Sequence, residues 1–397
     1  MGKIIQVATK QASLKRRLRR HLTKLGFQKS PDGMLQIADS SKEVIRSLHA
    51  SQRADRLAQN KKFIIERSSD LLKYFATGRE VDPRKISPTL QRIRSGTWES
   101  DLFRLAALTW SVPVSNGFGR RIRYLVWDTH NEKLIGLIAI GDPVFNLSVR
   151  DKLIGWNSDM RGERLVNIMD AYVLGAVAPY NSLLGGKLVA CLVRSRQVYQ
   201  DFQEAYGKTK GIISGKEKNA KLLAVMTSSS LGRSSIYNRL KLNGVQYFRS
   251  IGYTSGWGHF HVPDQLFSDL RTYLRDIGHP YADLHRFGQG PNWRLRTTRA
   301  ALEAIGFNDD LLKHGIQREV FLCEFASNSL RMLKTGKGRP NLTTLSTAEQ
   351  VAEFALERWV RPRALRNPEF EKWTGHDIGT LLANNLRLEP TKRVALK

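Results

Sequence analysis

The sequence predicts an α/β protein: a mixed sheet with flanking helices, preceded and followed by mainly helical, basic regions. Three observations predict it. Apolar runs of strand length, separated by turn residues, gather between Gly119 and Tyr253. Before and after them, leucine, isoleucine and alanine recur at helical spacing. Lysine and arginine number 64 against 36 aspartates and glutamates, a net charge of +28 over 397 residues.

The first region, residues 1–95, opens with Leu14, Leu18, Leu22 and Leu25 on one helical stripe. The other faces carry Lys15, Arg16, Arg17, Arg19, Arg20 and Lys24, and Gly26 stops the helix. Ser40 and Glu43 have capping-box spacing, which predicts a second helix running with breaks through Val44, Leu48, Leu57, Ile64 and Leu71 to Gly78. Pro83 and Pro88 mark a linker. This region holds nearly half of the charge excess.

The second region, 96–283, is the α/β domain. Arg121–Trp127 and Lys133–Ile140 flank the turn residues Asp128-Thr-His-Asn131 and predict a hairpin that Gly141-Asp-Pro143 ends. Asn167–Val177 predicts a third strand, followed by a long helix from Leu183 to Tyr206. Leu222–Met226 predicts a strand, Ser234–Leu242 a helix and Tyr247–Tyr253 a further strand. In the third region, 284–397, Trp293–Ile305 with Gly306 behind it and Ala348–Val360 predict helices, and the tail past Asn385 is expected to fray.

Such a charge excess works against folding through self-repulsion, and an acidic polymer is the usual compensation. Arginine forks match phosphate oxygens, and lysine and arginine displace counterions from a nucleic-acid backbone. DNA, or alternatively RNA, is the expected partner. No segment reaches the roughly 20 apolar residues of a membrane span, and the N-terminus has no apolar signal core. Cys191 and Cys323 stand in no zinc spacing and are expected to be reduced core residues. These features point to a cytoplasmic protein without a membrane.

The expected phosphate contacts are Arg16, Arg17, Arg19, Arg20 and Lys24 on the first helix, with Arg120, Arg121, Lys187 and Arg233 in the middle region. Trp293, Arg294 and Arg296 alternate an aromatic ring with guanidinium groups, as does Glu357-Arg-Trp-Val-Arg-Pro-Arg363. Snorkelling arginines beside a buried tryptophan give the same pattern. Asn181, Gly185 and Gly186 lie where a strand runs into a helix, a place where free N–H groups can hold a phosphate or pyrophosphate. Tight strand–helix packing calls for the same glycines.

Enzymatic alternatives rest on other residues. Asp128, Asp142, Asp151, Asp159 and Asp170 lie in or near the expected sheet and, if convergent, would hold Mg²⁺ for phosphodiester cleavage. Turn chemistry and ion pairing account for several of them equally well. His259 and His261 share one face of a strand without a placed third ligand. Ser234, Ser235 and Tyr237 offer hydroxyls for acid chemistry or for structure.

The order hairpin, strand, glycine-containing loop and helix, with Gly185-Gly-Lys-Leu188 and the segment Asn243–Tyr253, resembles the GCN5-related N-acetyltransferase fold. The resemblance implies a pyrophosphate cradle for acetyl-coenzyme A and an acyltransferase activity. The family's loop has arginine or glutamine and further glycines where this chain has Tyr180, Asn181 and Leu183, which argues against coenzyme binding.

A broader set of motifs covers most of the chain. It comprises Gly119-Arg-Arg-Ile-Arg-Tyr124, Gly141-Asp-Pro143, Arg150-Asp151 with Ile154-Gly-Trp156, and Ala178-Pro-Tyr-Asn181. Leu231-Gly-Arg-Ser-Ser-Ile-Tyr237, Gly288–Arg294 and His314-Gly-Ile316 complete it. Together they resemble the A component of the Druantia anti-phage defence systems. That resemblance implies a role in defence beside other system proteins, including a helicase-like partner, and leaves the reaction open. The expected function is DNA engagement within such a system.

Overall fold

The computed structural model describes residues 2–29, 35–37, 41–210, 215, 217–255, 262–283, 293–307 and 316–383. Gly258-His-Phe-His261, most of Gly288–Arg294, His314 and the tail past Asn385 lie outside the described residues. The chain forms two compact units that interleave along the sequence: Met1–Asp55, Ser230–Arg233 and Tyr253–Arg318 make one, and Arg56–Ser229, Ser234–Gly252 and Glu319–Lys397 make the other.

The first unit is mainly helical. Its first helix, Gly2–Lys24, ends before Gly26, whose φ of +85° needs no Cβ. Leu14, Leu18 and Leu22 are buried in one cluster with Leu266, Leu270 and Leu274 of helix Asp264–Asp276 and with Ala301 of helix Trp293–Ala304. Lys10 and Arg17 reach Asp276 and Asp269 at 2.7 and 2.6 Å. Helix Lys42–Leu48 is capped by Ser41, whose hydroxyl accepts from the Val44 N–H, one residue after the expected cap. The helical run breaks at His49 before Ala50–Gln59, and again at Asn60 before Lys61–Leu71, which belongs to the second unit.

The second unit is built on a mixed eight-stranded sheet. In chain order its strands are β1 Pro88–Arg92, β2 Arg121–Asp128, β3 Lys133–Gly141, β4 Ile168–Ala176, β5 Ala224–Ser228, β6 Leu240–Leu242, β7 Val245–Tyr253 and β8 Glu319–Glu324. Their spatial order is β6-β7-β8-β5-β4-β3-β2-β1. Strand β3 is apolar along almost its whole length because it is covered on both faces. Ile135, Ile138 and Ile140 pack with helix Gly185–Leu192, whereas Leu134, Leu137 and Ala139 pack with helix Trp98–Leu108. Strands β4 and β5 run parallel and pair from Ile168↔Ala224 to Asp170↔Met226. Beyond that, β4 bulges at Tyr172, since Val173 faces Ala139 while Ala171 faces Ile140.

Several expectations are corrected. The predicted helix Ser234–Leu242 is a run of turns leading into β6. The Ser234 hydroxyl accepts the Ile236 and Tyr237 N–H groups, and Arg239 takes a φ of +59°, which a helix does not tolerate. Tyr237 instead donates its hydroxyl to the Leu174 carbonyl, at the part of β4 that has left β5. The long helix Leu183–Tyr206 is two helices, Gly185–Leu192 and Arg196–Tyr206. They are separated where Ser195 caps the second and the buried Arg194 side chain bonds the carbonyls of Glu324 and Thr344. Pro88 opens edge strand β1 instead of a linker, at a position that needs no ladder N–H. Strand β5 starts two residues later than expected. Within the region expected to be mainly helical, β8 enters the sheet between β5 and β7. The helix from Ala348 loosens into a π turn at Leu356–Val360 before continuing to Arg366.

One buried anchor ties the hairpin to the loop after β4. The Tyr180 hydroxyl donates to Asp128 Oδ2 at 2.8 Å, and Asp128 Oδ1 accepts the Ser87 and His130 N–H groups. Burial, reinforced by the Asp128 carboxylate, pushes the Tyr180 hydroxyl well above its ordinary titration range, so it remains a donor. Tyr180→Phe should therefore lower unfolding stability by about 1–3 kcal/mol, the cost of an unmet buried acceptor. Denaturant unfolding checks this, and unchanged stability would contradict the anchor.

Candidate nucleic-acid interface

The motif residues that follow β3 converge on one buried cation. Arg150, with no exposed surface, donates to the carbonyls of Val144 and Phe145 at 2.8 and 2.7 Å and to Asp151 at 2.8 Å. Its guanidinium also lies 5.7 Å from the Trp156 ring. A buried charge is tolerated only when paired and bonded in this way. The other oxygen of Asp151 accepts from Arg161 at 2.9 Å, and Arg161 lies 4.6 Å from the Phe145 ring. Thus the Val144 and Phe145 carbonyls and the motifs Arg150-Asp151 and Gly155-Trp156 fix one corner of the unit.

That corner meets a second basic segment. The Trp156 indole donates to the Leu333 carbonyl at 2.7 Å, and Arg164 donates to the Lys334 carbonyl. Helix Ser329–Thr335 ends at Gly336, whose φ is +71°. The turn beyond it is held by Asn328, which donates to the Arg339 carbonyl, and by Lys221, which donates to the Gly338 carbonyl. Because backbone groups are satisfied from within, the side chains of Arg331, Lys334, Lys337 and Arg339 are exposed. Lys152 is exposed as well, whereas Arg161 and Arg164 are half-buried and bonded to Asp151 and to the Lys334 carbonyl, and helix Ser158–Arg164 also carries Asp159 and Glu163. Among the described residues Lys152, Arg331, Lys334, Lys337 and Arg339 make no ion pair. The sequence reading passed over this surface, although Lys334-Thr-Gly-Lys-Gly-Arg339 carries its signal: cations spaced by glycines.

On the first unit, Arg16, Arg17, Arg19, Arg20 and Lys24 are exposed on the face of the first helix opposite its leucines. Arg17 pairs with Asp269, and Arg19 lies 5.8 Å from the Phe307 ring. Arg16, Arg20 and Lys24 make no ion pair among the described residues. Arg233 is exposed in the same unit. Trp293 packs edge-on to Phe267 at 5.5 Å. Arg294 pairs with Asp264 at 2.8 Å, donates to the Val262 carbonyl and lies 4.2 Å from the Phe267 ring. Arg296 is half-buried and its Nε has no partner among the described residues. Here arginine and tryptophan stabilise a helix junction.

Elsewhere in the second unit, Arg120 is tied to Asp142 at 2.7 Å and to the Val166 carbonyl at 2.7 Å, while Arg121 is exposed. Lys187 donates to the carbonyls of Ile236 and Asn238, and burial lowers its affinity for a proton. A Cβ on Gly185 would lie 2.6 Å from the Tyr180 carbonyl oxygen, and one on Gly186 would touch Ile236. Asn181 is exposed beside them. In Glu357–Arg363, Trp359 is buried, Arg361 pairs with Glu353 at 2.6 Å and Arg363 donates to the Ser182 carbonyl.

The carboxylates do not converge. Asp128 serves Tyr180, Asp142 serves Arg120, Asp151 serves two arginines, and Asp159 is exposed. Among the described residues no three His, Cys, Asp or Glu side chains are grouped to hold a metal ion. Cys191 and Cys323 are buried and unpaired by disulfide, and burial pushes the Cys323 thiol up to about 12. No helix among the described residues is long and apolar enough to cross a membrane.

Comparison with known proteins places this architecture. The family described as Druantia protein DruA matches residues 39–335. A curated protein named Druantia protein DruA, from Escherichia coli (strain UMEA 4076-1), is 60% identical over 393 residues, 99% of this chain and 97% of the relative. The chain belongs to the DruA family. The motif resemblance to the A component of the Druantia systems is thereby shown, and a role as one component of an anti-phage defence system follows. No solved structure matches. In this DruA family member the matched span includes the Arg150 corner and extends to Thr335.

Asp170 sits beneath that corner and accepts the Val144 N–H at 3.4 Å. Burial raises its carboxyl to about 6, opposed by that hydrogen bond and by Arg150. The folded protein therefore binds this proton more tightly than the unfolded chain, whose aspartates titrate near 3.8. The contribution to stability is full below pH 4 and is lost as pH rises to 6. Asp170→Asn should be more stable than the parent above pH 6, by on the order of 2–3 kcal/mol, with the gap closing toward pH 4. Thermal unfolding across that pH range checks it; a gap independent of pH would contradict it.

Proposed function

We propose that this DruA family member engages DNA within its defence system by gripping backbone phosphates with two basic surfaces. One is the corner formed by Lys152, Arg161, Arg164, Arg331, Lys334, Lys337 and Arg339; the other is the outer face of the first helix. The observation that carries this reading is the ordered 331–339 turn, which exposes four cations without an ion pair among the described residues. Cations held apart on a firm backbone match a polyanion. A mere solubility device would not need Asn328 and Lys221 to bond the turn's carbonyls. Arginine and lysine at this density favour contacts to phosphate over reading of bases. The helicase-like companion that the family resemblance implies would act on the same DNA.

The acyltransferase reading draws support from the bulge at Tyr172 in β4 ahead of helix Gly185–Leu192, the feature on which the resemblance to the acetyltransferase fold rests. The residues do not fit its coenzyme. The open side of Gly185 is taken up against the Tyr180 carbonyl, Tyr237 bonds the freed edge of β4, and Lys187 is spent on the 236–238 carbonyls. Metal-dependent cleavage is disfavoured by the pairing of Asp128, Asp142 and Asp151.

Affinity for mixed-sequence duplex DNA, measured by fluorescence anisotropy at several salt concentrations, should fall steeply with salt. Each phosphate contact contributes a slope of about 0.9 in the double-logarithmic plot. Replacing Lys334, Lys337 and Arg339 together by glutamate should flatten that slope by about 3 and leave folding intact. A flat dependence in the parent, or a variant that binds as the parent does, would overturn the reading. Tighter binding of duplex RNA would reassign the partner.

A further inference from the structure

Two large apolar side chains stand at the tip of the loop after β3: Val144 is 44% exposed and Phe145 is 50% exposed. Leaving such side chains half exposed forgoes roughly half of the 1.5–3 kcal/mol that full burial of each contributes. The loop is nevertheless held firmly. Arg150 bonds both of their carbonyls, Asp170 accepts the Val144 N–H, and Asp151 orients Arg161 against the Phe145 ring at 4.6 Å. A ring backed by a guanidinium and half open to solvent is a platform ready for a second flat group. Its surroundings are cationic, with Lys152, Arg161 and Arg164 close in sequence and Arg164 bonded into the 331–339 segment.

We infer that Phe145 stacks an unpaired nucleobase while the neighbouring exposed cations hold the adjoining phosphates. This inference rests on the DNA-engaging reading and adds strand preference to it. Stacking on an aromatic side chain contributes about 1–3 kcal/mol per base, tolerates any sequence and is denied to a base inside a duplex. Charge complementarity selects a nucleic-acid strand over an apolar protein segment, which would bury Lys152, a cation without an ion pair among the described residues, with no counter-charge.

The test uses the full chain and two probes, a single-stranded oligothymidine and a mixed-sequence duplex, each read by anisotropy at one salt concentration. Phe145→Ala should weaken single-strand binding about tenfold or more and leave duplex binding unchanged. Phe145→Tyr, which keeps the ring, should restore the single strand. Unchanged single-strand binding by Phe145→Ala, with the parent binding both probes, overturns the inference alone and leaves the tip as a protein-docking point. Equal loss on both probes also overturns it. A parent that binds neither probe removes the DNA-engaging reading itself.

Discussion

A guanidinium without contact with water governs the second unit's working corner. Arg150 would be an expensive charge to bury alone, and its burial forces partners to assemble around it. Asp151 neutralises it, the Val144 and Phe145 carbonyls turn inward to meet it, and Trp156 covers it. With the carbonyls inward, the side chains of Val144 and Phe145 face out. With one Asp151 oxygen used on Arg150, the other fixes Arg161. Trp156 in turn docks on Leu333 and sets the end of the helix from which the 331–339 cations project. One internal ion therefore arranges several external ones.

The central sheet was legible because burial on both faces writes strands as apolar runs. Leu134 through Ile140 left no helical periodicity to compete, and Asp128–Asn131 supplied the turn. Strand β8 was not legible as part of that sheet, because its partners β7 and β5 precede it by about 65 residues or more and nothing local announces a non-adjacent insertion. The segment Ser234–Leu242 failed for a different reason. Its composition suits a helix, yet Arg239 turns to a φ of +59° and Tyr237 finds an acceptor on β4. The break at Arg194–Ser195 has a similar cause: a buried arginine answers carbonyls that lie far away in sequence.

Of the candidate contacts, the first helix was readable because Leu14, Leu18 and Leu22 fix which way it faces, so the arginines between them must point outward. Arg120, Arg294 and Lys187 were not separable from surface cations in sequence. Their carboxylate and carbonyl partners arrive from other elements and convert them into struts. The reverse error hid the 331–339 surface. Its cations are few, and their force comes from a turn whose carbonyls are satisfied internally. Motif residues such as Arg150 and Asp151 are structural in their own contacts and hold the Val144–Phe145 tip and Arg161 in place.

In the proposed function nucleic acid lands on the cations of the 331–339 turn and on the outer face of the first helix. Photo-cross-linking of the full chain to DNA, with the linked peptides mapped by mass spectrometry, tests it most directly. Adducts should concentrate in residues 143–164 and 331–339 of the second unit and 10–24 of the first. Adducts confined to the Pro179–Lys187 loop, with 331–339 unmarked, would contradict it.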